Sequence, residues 1–179
     1  MKLKSRHVLL LAVISGLLPG PAVAQPADTL NELLAAERCP LSAQLKAVYE
    51  RPSAFKERDR FLVVSVKIRP QNYVQCMFAE NRSKLYCEAS SSYYAERETK
   101  LRMLYMPPDA MAVLQKLGFA TKTSEKNFSY ERALSGAPDF DAIATLMLTV
   151  LHDAYGVRED TVLTTAAPFV GTIIVVCRR

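Results

Sequence analysis

Residues 61–91 read "FLVVSVKIRPQNYVQCMFAENRSKLYCEASS", and the fold class follows from this stretch. Three runs rich in β-branched and aromatic residues, 61–68, 72–79 and 84–91, are separated by "RPQ" and "ENRS", both turn-forming compositions. Connections this short join antiparallel neighbours, so the spacing predicts a three-strand meander. Folding the second and third runs as a hairpin about Asn81-Arg82 sets Cys76 opposite Cys87, Phe78 opposite Leu85, and Val74 opposite Ala89. Side chains alternate along a strand, so these six project from one apolar face. Gln75, Met77, Lys84, Tyr86 and Glu88 then fall on the other face.

Helical patterns flank the meander. Leu30, Leu33 and Leu34, then Leu41, Leu45 and Val48, recur at three- and four-residue spacings, which predicts two helical pieces across 28–49 with a break at Cys39-Pro40. "ERPSAFKERDR" (50–60) reads as a charged connector. "PPDAMAVLQKLG" predicts a helix with proline at its start and Gly118 as its stop. "NFSYERAL" (127–134) alternates as a strand. The strongest helical pattern is "PDFDAIATLMLTVLHDAYG": Asp139 can cap it, Gly156 ends it, and Phe140, Ile143, Met147, Val150, Leu151 and Ala154 form its apolar stripe. Strands with helices segregated around them predict an α+β domain, an antiparallel meander sheet with helices packed on one face. A final strand is expected at "TIIVVC" (172–177).

The N-terminus opens with Lys2, Lys4 and Arg6, continues with an apolar run from Val8 to Leu18, and closes on Ala22-Val23-Ala24 after Pro19-Gly20-Pro21. That order predicts an export signal cleaved between Ala24 and Gln25, with residues 25–179 as a single domain in the periplasm or secreted. The formal net charge of +5 falls to +2 when Lys2, Lys4 and Arg6 leave with the signal. The remaining charges alternate in sign, as in "FKERDR" and "AERETK", which is the pattern of a solvated surface and not of a nucleic-acid interface. Residues 162–177 are uncharged, but Pro168, Gly171 and their threonines make them too short and too polar for the roughly 20 apolar residues of a spanning helix. No stable membrane insertion is expected after cleavage.

All four cysteines follow the cleavage site, and an exported chain favours their oxidation. Four cysteines allow three connectivities. The hairpin register favours Cys76–Cys87, because opposed strand residues sit about 4.5–5.5 Å apart at Cα, within reach of a disulfide. Cys39–Cys177 is then the remaining pair. Zinc would need paired C-x₂₋₄-C or histidine partners, and the cysteines at 39, 76, 87 and 177 lack that spacing, so neither metal nor cofactor is expected. The export-cleaved chain has one histidine, His152, expected on the surface at a helix C-terminus where a cation suits the dipole. No glycine pattern fits a phosphate loop, and no pair of carboxylates is fixed for acid–base work. Tyr86, Tyr93 and Tyr94 are the candidate binding residues, since tyrosines give contact area at low entropic cost.

The order of elements carries one resemblance. A three-strand meander, a helix ending "LGF" (117–119), a strand opening "NF" (127–128) and a helix closing "YGV" (155–157) resemble the YbjN-like and type III secretion chaperone-like group, the TY-chaperone domains, from Phe61 to Val157. The resemblance implies a small α+β fold that binds a peptide or protein across its sheet, with no catalytic residues to carry over. The expected function is therefore a non-enzymatic, exported peptide- or protein-binding domain. Two alternatives stand beside it: a small secreted hydrolase using an exposed carboxylate or His152, and an envelope protein anchored through residues 162–177.

Overall fold

A computed structural model of the chain describes residues 26–52, 56, 59–91, 106–121, 127–168 and 177. Among the described residues, three α-helices, α1 (Pro26–Tyr49), α2 (Pro108–Lys116) and α3 (Phe140–Tyr155), accompany five strands, β1 (Phe61–Val66), β2 (Arg69–Ala79), β3 (Lys84–Ala89), β4 (Phe128–Ala133) and β5 (Leu163–Ala166). The strands form one antiparallel sheet in the order β4-β3-β2-β1-β5. This is the expected α+β architecture. The meander occupies the centre, and the two later strands are added at its edges.

The central register is also the expected one, with Val74 opposite Ala89, Cys76 opposite Cys87, and Phe78 opposite Leu85. All six are buried, together with Leu62, Val64 and Val66 of β1. Against them pack Leu33, Leu45 and Val48 of α1 and Ile143, Met147 and Leu151 of α3, all 1% exposed or less. Tyr49, Phe78 and Phe140 meet edge to face, with centroids 5.0–6.2 Å apart, the arrangement their ring quadrupoles favour.

One turn differs from expectation, and the turn expected at "ENRS" has an unusual backbone. The β1–β2 turn is Lys67-Ile68, and "RPQ" lies inside β2. The ladder explains why a proline is tolerated there. Ser65 pairs with Tyr73 but the next residue, Val66, pairs with Arg69, so residues 70–72 bulge out and Pro70 owes no ladder hydrogen bond. The β2–β3 connection is a left-handed turn in which Glu80, Asn81 and Arg82 all have positive φ, from 49° to 73°. Non-glycine residues pay roughly 1–2 kcal/mol each for that conformation. It aims Arg82 back at the end of α1, where Nη2 donates to the Arg51 carbonyl at 2.8 Å and the guanidinium lies 5.4 Å from the Tyr49 ring centroid.

The break expected at Cys39-Pro40 is absent: α1 runs through Pro40 without interruption. An interior proline costs about 3 kcal/mol. Leu33 lies before it and Leu41, Leu45 and Val48 after it, all on the buried side. Bending at Pro40 would strip one half of the helix from the core, so tertiary burial outweighs the local cost. The charged connector after α1 is likewise not wholly a solvated stretch. Arg60 is 5% exposed and Arg51 7% exposed. Arg60 donates to the carbonyls of Arg51 and Pro52, each at 2.7 Å, satisfying acceptors just past a helix C-terminus that have no intrahelical partner.

Asp139 Oδ1 accepts from the Ala142 amide at 2.9 Å and caps α3, which Gly156 ends at φ 71°. The buried face of α3 is wider than the expected stripe. Ala144, Leu148, His152 and Tyr155 join it, while Phe140 and Ala154 are half-buried. Its position explains the width, because α1, α2 and β2 all contact α3. Strand β5 pairs with β1 from Val63↔Ala166 to Val66↔Leu163. The run expected as the last strand, 172–177, lies outside the described residues except for Cys177.

Candidate functional site

One face of the sheet carries the helices. The other presents two cross-strand rows set by the register: Phe61, Met77, Tyr86 and Glu131, then Val63, Gln75, Glu88 and Ser129. All of them except Glu131 are half-buried, and Glu131 is exposed. Alternation puts Tyr86 and Glu88 on the same side of β3, two residues apart, while Cys87 between them points into the core.

Glu88 is held from both sides. Its Oε1 accepts from the Tyr86 hydroxyl at 2.8 Å, and its Oε2 accepts from Gln75 Nε2 across the strand at 2.7 Å. Burial pushes the Tyr86 phenol up to about 12; its hydrogen bond to Glu88 and the charges of Glu88 and Glu131 act in the same direction. Beside this trio, Lys84 Nζ lies 2.7 Å from Glu131 Oε2 and 3.4 Å from Glu80 Oε1. The hydrogen bond to Glu131 is the main reason its ammonium is held above the usual lysine value. Lys84 and Glu131 also line a cleft of about 480 Å³ at the turn end of β3 and β4, with Glu80, Ser83 and Arg132.

Tyr86 thus lies on the open face, as expected. Tyr93 and Tyr94 lie outside the described residues, as do Ala24 and Gln25 at the expected cleavage site. The cysteines are joined as Cys76–Cys87, with Cα atoms 4.0 Å apart, and Cys39–Cys177, with Cα atoms 5.9 Å apart. Cys76 and Cys87 are fully buried, whereas Cys39 is exposed. Among the described residues, no group of three or more His, Cys, Asp or Glu is placed to hold a metal ion.

His152 is not a surface residue. It is 3% exposed, between α1 and α3, with Nε2 2.8 Å from Thr29 Oγ1 and Nδ1 2.5 Å from Asp153 Oδ1. Its position on the helix put it off the apolar stripe, and only the fold reveals the partner on α1, 123 residues away. Hydroxyl, imidazole and carboxylate stand in the order of an acid–base relay. The imidazole, however, is enclosed by helix packing and takes no part in the cleft or the open face, so its geometry is that of a tie between two helices. The sequence sets Gln75 and Glu88 on the outer face without pointing to a bond between them; the signal for that bond is the hairpin register, which sets one opposite the other.

A family model, TY-Chap3, described as "T3SS (YopN, CesT) and YbjN peptide-binding chaperone 3", matches residues 42–169. The match begins within α1 and extends past β5, further in both directions than the stretch from Phe61 to Val157. No curated protein matches the chain, and no solved structure does.

Proposed function

We propose that this chain, which belongs to the TY-Chap3 family of peptide-binding chaperones, acts outside the cytoplasm as a non-enzymatic domain that binds an extended peptide or polypeptide segment across the open face of its sheet. The observation that carries this reading is the face itself. Phe61, Val63 and Met77 supply apolar contact beside the hydrogen-bonded Tyr86, Glu88 and Gln75, while α1 and α3 pack on the opposite side. Half-apolar surface with a few fixed polar groups is the composition of a recognition surface.

Export is supported by the basic, apolar and small-residue order of residues 1–24 and by the pairing of all four cysteines, which suits an oxidising compartment. Anchoring through 162–177 would require residues 163–166 to leave the sheet, where they pair with β1. Among the described residues no helix is long and apolar enough to cross a membrane.

Fluorescence anisotropy with a panel of short labelled peptides tests the binding, using the oxidised protein and a Met77→Asp variant. Peptide binding by the wild type and its loss in the variant, with an unchanged melting curve, is the expected result. Failure of the oxidised protein to bind any peptide would refute it. Osmotic shock tests the compartment: the protein should be released with the periplasmic fraction or recovered from the medium, and retention with cytoplasmic markers contradicts export.

A further inference from the structure

The open face carries a carboxylate that its neighbours among the described residues fix but do not neutralise. Both oxygens of Glu88 accept from neutral donors, the Tyr86 hydroxyl and the Gln75 amide. No ion pair to Glu88 occurs among the described residues, and the nearby cation Lys84 is engaged by Glu131 and Glu80. A half-buried carboxylate without a counter-cation sacrifices hydration that two neutral hydrogen bonds only partly restore. A bound cation would complete the arrangement.

Resting on the peptide-binding reading above, we propose that Glu88 is the specificity anchor of the open face and accepts the guanidinium of an arginine in the bound peptide. Each carboxylate oxygen takes up to two hydrogen bonds, and each is using one within the protein. One acceptor site per oxygen remains, which suits the paired N–H groups of a guanidinium better than a single ammonium. The surroundings fit the rest of that side chain. Met77 is directly opposite Tyr86, and Val63 directly opposite Gln75, so the aliphatic stem of an arginine crossing the strands has apolar surface to cover. The Tyr86 ring, bonded to Glu88 through its hydroxyl, puts an aromatic group beside the charged end. Lys84 is shared by Glu131, in the same row as Tyr86, and Glu80, so this group keeps a net negative charge beside the row.

The test uses the full oxidised protein and short extended peptides of valine and threonine that differ only at one central residue: arginine, lysine, norleucine or glutamate. Anisotropy should show the arginine peptide binding roughly tenfold or more tightly than the norleucine peptide, with lysine between them and glutamate weakest. Raising the salt concentration should narrow the difference. In Glu88→Gln the amide can still bond to Tyr86 and Gln75, so the fold is retained, and the preference for arginine over norleucine should collapse to within about twofold. A second variant, Tyr86→Phe, keeps the charge and removes one positioning bond. It should weaken the arginine preference without abolishing it. Equal binding of arginine and norleucine peptides by the wild type, or an arginine preference that survives Glu88→Gln, would overturn the assignment while leaving peptide binding intact. If no peptide of the series binds, both this inference and the reading beneath it fail.

Discussion

Replacing Cys39 and Cys177 by alanine should destabilise the protein more than replacing Cys76 and Cys87, although the second pair is the buried one. The bridges span sequence separations of 138 and 11 residues. A cross-link restricts the unfolded chain in proportion to the logarithm of the loop it closes, which gives about 5 kcal/mol for the long loop and about 3 kcal/mol for the short one. The short loop is nested inside the long one, but it removes so few residues from it that the logarithm barely changes. Packing narrows the gap. Cys76 and Cys87 are fully buried, so truncating them also loses core contacts, whereas Cys39 is exposed and loses almost none. A difference of roughly 1 kcal/mol should therefore survive, with the long bridge the more costly to lose. Guanidinium unfolding of the two double variants, followed by circular dichroism alongside the oxidised wild type, measures both values. If the Cys39→Ala, Cys177→Ala protein unfolds within about 1 kcal/mol of wild type, residue 177 does not constrain the chain as the loop length requires. Non-reducing peptide mapping that links Cys39 to either hairpin cysteine would refute the pairing outright.

Two further perturbations probe the site and the helix tie. Tyr86 keeps its proton up to about pH 12 in the folded protein, above the value near 10 of an unfolded tyrosine. Its contribution to stability is thus complete below pH ~10 and lost as the pH rises through ~12. An absorbance titration of Tyr86→Phe should lack one late-ionising phenol, and loss of a phenol that ionises near pH ~10 instead would contradict the burial of Tyr86 and its hydrogen bond to Glu88. Thr29→Val removes the partner of His152 Nε2 at the interface of α1 and α3, and leaving that nitrogen unsatisfied should cost about 1–2 kcal/mol in urea unfolding. No measurable change would mean that the contact contributes nothing to the docking of α1.

The parts of the fold legible in the sequence are those whose causes are local. The β2–β3 register could be read because a short polar turn joins two alternating runs, and slipping by one residue would send Cys76 and Phe78 to the wrong face. The capped ends of α3 were legible for the same reason: Asp139 and Gly156 act on the backbone next to them. Misreadings occurred where a distant partner overrode a local signal. Pro40 looked like a break because nothing nearby reveals that leucines on both sides of it enter one core. "RPQ" looked like a turn because the bulge that excuses Pro70 exists only in the pairing with β1. His152 looked exposed because Thr29 is far away in the chain. Strand β5, "LTTA", offered no apolar alternation, since its residues are mostly exposed on an edge.

Alternation along β2 and β3 also separates the stabilising bridge from the residues proposed for recognition. Cys76 and Cys87 point inward to a bridge in the core, while Gln75, Tyr86 and Glu88, each adjacent in sequence to one of them, point outward. Both strands are interior to the sheet, so each is hydrogen-bonded on two sides, and the disulfide ties them a third time. A carboxylate mounted there is positioned by backbone that has little freedom to move, and its side chain is fixed again by two hydrogen bonds. Placing a binding group on a rigid element lowers the entropy that must be lost when a ligand arrives. The buried bridge therefore supports the proposed binding face without touching it: it ties the two strands whose register sets Gln75 opposite Glu88, and that register places the proposed anchor.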